Sequence, residues 1–222
     1  MSTTQPDGYL AVPATGKGSP VLVLHAWWGL NDTIKAFCER LAEAGFVAFA
    51  PDLYHGKVAD TIADAETLGS ALDANHNQAK AEIVEAARFL GKRAGQPGTK
   101  GHPSLAVIGF SLGAYYALDL SVADPEQIHS VVLFYGTGPG DFGNSSAAYL
   151  GHFAEMDEFE PPSNVDELEA ALQGAGRPVT FHRYSGTGHW FFEPDRAQAF
   201  NQAAASLAWD RTLAFLQRSS TL

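Results

Sequence analysis

The chain has 222 residues and carries 14 basic against 25 acidic side chains, a net charge of −11 at pH 7, with one cysteine. That length buries one substantial core and is too short for two comfortable domains. The charge leaves no electrostatic footprint for nucleic acid or an anionic membrane, and a lone thiol makes no internal disulfide. With no signal-peptide pattern and no apolar run approaching a membrane span, the expectation is a soluble cytoplasmic protein.

Residues 1–7 read as a loose tail and residues 8–217 as one domain. Residues 20–25 form a short apolar strand, and residues 31–44 a helix that opens on good capping residues. Cys38 falls with Ile34, Phe37, Leu41 and Ala42 on one helical stripe, which makes it a packed core thiol. Residues 46–50 are the next strand, closed by Pro51. Residues 74–90 read as a helix, 105–108 as a strand and the alanine-rich stretch from Ala114 as the element after it. Strands at 129–135, 147–154 and 178–184 follow, with helices at 165–172 and 194–217. The repeated alternation of apolar strands with helices predicts an α/β fold, a mostly parallel sheet with helices on both faces. The acidic residues Asp166, Glu167 and Glu169 read as a solvated helix face.

Gly109-Phe110-Ser111-Leu112-Gly113 lies directly between a β-branched strand and a helix. On such a turn the flanking glycines let strand and helix pack closely, and the serine is held in a strained conformation that presents its hydroxyl as a nucleophile. A serine nucleophile needs a base, and the base needs an acid that fixes its tautomer; on α/β-hydrolase folds they follow in the order Ser, acid, His. His189, in a small-residue loop after the strand at 178–184, supplies the base. Asp157, just past the strand at 147–154, is the acid, with Glu155 and Glu160 as competitors. The backbone N–H groups of Leu112 and Trp27 are the expected oxyanion donors. His25 and Asp52 read as loop-shaping groups, and His182 as a structural residue of its strand.

Gly138-Pro139-Gly140-Asp141-Phe142-Gly143 matches a dinucleotide fingerprint but does not open a helix, because residues 146–154 read as a strand. Asp141 would also aim negative charge at a pyrophosphate, so nucleotide binding is set aside. The segment 136–146 is too short for a helical lid, which predicts no cap domain and an open cleft.

Taken together, His25-Ala26-Trp27-Trp28-Gly29-Leu30-Asn31, Pro51-Asp52-Leu53-Tyr54, the serine turn, Asp157-Glu158-Phe159-Glu160-Pro161 and Gly188-His189 resemble the dienelactone hydrolase family of the α/β-hydrolase superfamily. The resemblance runs over roughly residues 8–217. It implies a compact, lidless, single-domain hydrolase of small esters or lactones, acting through an acyl-enzyme without metal or cofactor. Three departures stand out. Ser111 replaces the family's usual cysteine, and Ala26 stands where a glutamate helps control that thiol. Glu193 occupies the position, four residues beyond His189, of an arginine that holds the substrate carboxylate, and no arginine lies between Arg40 and Arg88 to supply the other. A serine esterase or lactonase that disfavours carboxylate-bearing substrates is therefore expected, with Glu193 repelling them.

Trp28, Tyr54, Tyr115 and Trp190 are candidates for lining the substrate cleft, a core role being the alternative for each. An acyltransferase using the same acyl-enzyme is the second enzymatic reading, and a non-catalytic binding protein on a hydrolase fold the third. The expected partner is a small ester or lactone; the oligomeric state stays open, with a monomer plausible.

Overall fold

Asn31 starts the first helix as the sequence anticipates, its side chain accepting the N–H of Ile34 at 3.0 Å. The computed structural model describes residues 4–94 and 104–219. It divides into two compact units, residues 1–107 and 108–222, and the division falls inside one strand.

The first unit contains β1 (Gly8–Ala11), β2 (Ser19–Leu24), α1 (Asp32–Glu43), β3 (Phe46–Pro51), α2 (Ile62–Ala74) and α3 (His76–Ala94). β1 pairs antiparallel and β2 parallel with β3. The α1 stripe Ile34, Phe37, Cys38, Leu41 and Ala42 is buried, and burial pushes the Cys38 thiol up to about 12. Phe89 of α3 meets Phe49 of β3 edge to face at 5.2 Å. The helix expected over 74–90 is α3, which begins at His76; Asn75 separates it from the unanticipated α2 and turns its side chain back to donate to the Ala71 carbonyl. Of the expected tail, residues 1–3 lie outside the described residues, and Asp7 is tied in through its carbonyl, which accepts the Asp52 N–H at 3.1 Å.

β4 (Leu105–Phe110) straddles the division. The second unit continues with α4 (Leu112–Ala123), β5 (Ile128–Phe134), β6 (Ala148–Ala154), α5 (Pro162–Gly174), β7 (Val179–Tyr184) and α6 (Gln202–Ser219). β5, β6 and β7 are parallel neighbours, with Phe134 opposite His152 and Ala154 opposite Tyr184. α4 packs on β5, α5 on β7, and α6 on β5 and β6. His152 is wholly buried in β6, bonded through its two ring nitrogens to the Tyr184 and Thr212 hydroxyls.

Only a single 3₁₀ turn, Phe142–Asn144, interrupts the β5–β6 connection, so the glycine-rich segment there opens onto a strand and no helical cap is inserted. The last helix begins at Gln202 instead of 194, because residues 194–201 form turns and the Asn201 side chain caps Ala204. Asp166 and Glu169, expected as a solvated face, both accept from Arg183. Among the described residues no helix is long and apolar enough to cross a membrane.

Candidate active site

Ser111 has φ +50° and ψ −114°, a conformation rarely adopted by L-residues. Such a residue costs on the order of 1–3 kcal/mol and persists only where its surroundings impose it. Here its N–H donates to the Phe134 carbonyl at 2.8 Å, and its own carbonyl accepts from Ala114 N. A Cβ on Gly109 would lie 2.4 Å from the Gly113 carbonyl oxygen and 2.6 Å from Ala114 Cα, so only glycine lets β4 and α4 approach this closely. Although Ser111 is the N-cap of α4, its hydroxyl caps no backbone N–H. Instead Oγ lies 3.0 Å from Nε2 of His189.

The adjacent ends of β6 and β7 build the other half. Glu155 N donates to the Tyr184 carbonyl and Met156 N to that of Thr187, which staples the two loops together. The Glu155 carboxylate accepts Gly186 N at 2.8 Å, and the Glu160 carboxylate accepts the Thr137 N–H and hydroxyl at 2.7 and 3.0 Å. The two rival acids thus hold loops. Asp157 alone of the three reaches the imidazole, its oxygens 2.9 and 2.8 Å from His189 Nδ1. Oδ1 also accepts the N–H groups of Phe159 and Glu160, each at 2.9 Å, which fixes the carboxylate's orientation. The side chains of His189 and Asp157 are only 5% and 2% exposed. An Nδ1–H directed at a buried carboxylate leaves Nε2 free to accept a proton from Ser111.

The remaining expected residues are distributed unevenly. Leu112 is the first residue of α4, so its N–H has no partner four residues back in the helix. Trp190 stands edge-on to His189 at 5.0 Å, with Phe159 4.8 Å away. Tyr115 is half-buried against Tyr116. In the first unit, Trp27 is half-buried with its indole over Gly69, and Trp28 and Tyr54 are buried, Tyr54 edge-on to His25 at 4.9 Å. Asp52 accepts from Tyr54 N and Gly56 N, a loop-shaping role.

Glu193 requires a correction. It does not face the cleft as a repelling charge: it is 1% exposed, and its Oε1 accepts the Tyr135 hydroxyl at 2.7 Å. The physical reason is the turn that follows His189. Phe191 and Phe192 fold inward, the Glu193 N–H closes on the Trp190 carbonyl at 2.9 Å, and the carboxyl is carried into the interior. Burial pushes that carboxyl up to about 8, against the opposing effect of the Tyr135 hydrogen bond. The expected repulsion at this position therefore falls.

Sequence reasoning missed Tyr135, Gly136 and Phe159. Tyr135 and Gly136 follow β5 as Ser111 follows β4, and the ring of Phe159 lies 5.2 Å from that of His189 while being 45% exposed. An aromatic beside the predicted acid was the available signal for Phe159. Among the described residues no group of three or more His, Cys, Asp or Glu side chains is arranged to hold a metal ion.

A largely parallel sheet with a serine at its strand-to-helix turn, histidine and aspartate in relay behind it, is the architecture of an α/β-hydrolase. The chain belongs to the dienelactone hydrolase family, whose model matches residues 7–220, and is an ester or lactone hydrolase. "Protein usf" of Aquifex pyrophilus is 33% identical over 220 residues, covering 96% of this chain and 94% of that protein. A "Putative carboxymethylenebutenolidase" of Aquifex aeolicus is 30% identical over 223 residues, covering 95% and 92%. The solved structure described as "Putative Dienelactone Hydrolase from Klebsiella pneumoniae subsp. pneumoniae MGH 78578" superposes with a TM-score of 0.78 at 24% identity, covering 94% and 91%. At that identity the likeness speaks for the fold.

Proposed function

We propose that the protein is a serine hydrolase of small carboxylic esters or lactones that works through an acyl-enzyme on Ser111. The observation that carries this reading is the continuous relay from Ser111 Oγ to His189 Nε2, 3.0 Å, and from His189 Nδ1 to Asp157, 2.8 Å. Ser111 Oγ attacks the carbonyl carbon as His189 Nε2 takes its proton, and Asp157 stabilises the resulting imidazolium. The oxyanion is met by the N–H of Leu112, the first residue of α4; one such donor is worth about 3 kcal/mol in the transition state. Collapse breaks the ester C–O bond, with His189 returning the proton to the leaving alkoxide. Water then attacks the acyl-serine with His189 again as base, and the carboxylic acid departs.

Neutral substrates are our choice within that class. With Glu193 buried, the reason is no longer repulsion but the lack of an arginine at the position where the family resemblance expects one to hold a carboxylate bidentately. The uncapped β5–β6 connection supports an open cleft for small or flexible acyl groups, and a cytoplasmic location accords with a sequence that carries a single cysteine. Steady-state hydrolysis of matched neutral and carboxylate-bearing esters and lactones tests the proposal. Turnover with the neutral members preferred supports it; no turnover of any member by folded protein contradicts it.

A further inference from the structure

Tyr135 and Glu193 form a buried pair that the reaction scheme leaves unused. Tyr135 follows β5, fully buried at φ +36°, with its N–H on the His152 carbonyl at 2.8 Å. Its ring lies 4.9 Å from the His189 imidazole and 5.6 Å from Phe191. Its hydroxyl donates to Glu193 Oε1. The Glu193 backbone closes the turn from Trp190 and accepts Arg196 N at 3.0 Å, so this one residue ties the segment carrying His189 to β5 through its side chain and to the following turn through its carbonyl.

The second carboxyl oxygen, Oε2, is buried and meets no hydrogen-bond donor among the described residues. An ionised carboxylate with one oxygen unsatisfied is costly in such a place, and a neutral carboxyl whose carbonyl oxygen accepts from Tyr135 costs far less. The groups that face it pull in both directions. Asp195 opposes ionisation, while the Tyr135 hydrogen bond and Arg196 favour it; beyond Tyr135 lie Asp157 and His189. Burial outweighs that hydrogen bond and Arg196 together, and the carboxyl is pushed up to about 8. The Tyr135 hydroxyl, raised well above its ordinary value by burial and by Glu193, remains a donor throughout.

We infer that Glu193 is a positioning residue for His189: as a neutral acid it stays seated in the interior against Tyr135 and holds the turn that carries the imidazole, and on losing its proton to solvent its unsatisfied Oε2 draws it toward water and loosens that turn. The inference rests on His189 being the base of the proposed reaction. Its consequence is a fall in kcat/KM on the alkaline side that belongs to Glu193 and not to the triad.

The test is the pH profile of kcat/KM on a neutral ester between pH 6 and 10 for wild type, Glu193→Gln and Tyr135→Phe, each normalised to its own maximum. Wild type should lose about tenfold or more above the midpoint of the limb, between about pH 7 and 9.5. Glu193→Gln, with a neutral amide of the same shape, should lose less than about twofold over that range. Tyr135→Phe keeps the ring but removes the hydrogen bond that favours ionisation, and should move the fall to higher pH. A wild-type profile without the fall overturns the inference, as does the same fall in Glu193→Gln or an unmoved midpoint in Tyr135→Phe. Turnover that survives Ser111→Ala would instead sink the serine-hydrolase reading, so the two failures are distinguishable.

Discussion

Gly136 and Ser111 meet backbone to backbone: a Cβ on Gly136 would lie 2.4 Å from the Ser111 carbonyl oxygen and 2.8 Å from Ala114 Cβ. The contact leaves no room for a side chain between Gly136 and the serine turn. Gly136→Ala should therefore displace the nucleophile and lower kcat/KM by about 10²-fold, the effect of a misplacement near 1 Å. Gly174→Ala is the control, since a Cβ there meets nothing within 4 Å. Steady-state kinetics on the two variants decides it, and wild-type turnover in Gly136→Ala would contradict the packing argument.

Asp157→Asn should lower kcat by about 10⁴-fold, because an amide favours the wrong imidazole tautomer. Glu155→Gln and Glu160→Gln keep an oxygen that can accept Gly186 N or Thr137 N, and should cost less than about tenfold. If Glu155→Gln or Glu160→Gln is the more damaging change, Asp157 is not the acid.

Glu193 also makes stability depend on pH. Its carboxyl stands at about 8 in the fold against an ordinary value of 4.5, so between these limits the native state binds the extra proton. Stability should then fall as pH rises through that window, by at most about 1.4 kcal/mol per unit. Urea unfolding at pH 5, 6.5 and 8 should show a steeper decline for wild type than for Glu193→Gln; parallel lines would contradict the burial argument.

Cys38, the one cysteine in the sequence, is 0% exposed with its thiol pushed up to about 12 by burial and by Glu39. Iodoacetamide should leave native protein unalkylated and fully active, whereas a cysteine-dependent member of such a family would be inactivated. Loss of activity on alkylation at Cys38 would count against a serine nucleophile.

Much of the candidate site was legible because Ser111 and Asp157 follow strands with plain apolar runs, whereas His189 was marked by the small-residue loop after β7. The α1 stripe was equally readable, since Ile34, Phe37, Cys38, Leu41 and Ala42 repeat at helical spacing. β1 escaped notice because four residues alternate too briefly to register, and it is fixed by its pairing with β3. α2 was missed because its buried face is Ala65, Gly69 and Leu72, small residues that barely mark a period. Glu193 was misjudged for a different reason: position within a family pattern says nothing about which way a turn folds. The preceding Trp190-Phe191-Phe192 was the clue that this segment runs inward.

The most direct test of the account is covalent labelling with a fluorophosphonate, followed by peptide mass spectrometry. The account predicts one adduct per chain, on Ser111, formed in step with loss of ester hydrolysis and absent from Ser111→Ala, which should retain less than about one part in 10³ of the wild-type kcat. An adduct on another residue, or undiminished turnover in Ser111→Ala, would contradict it.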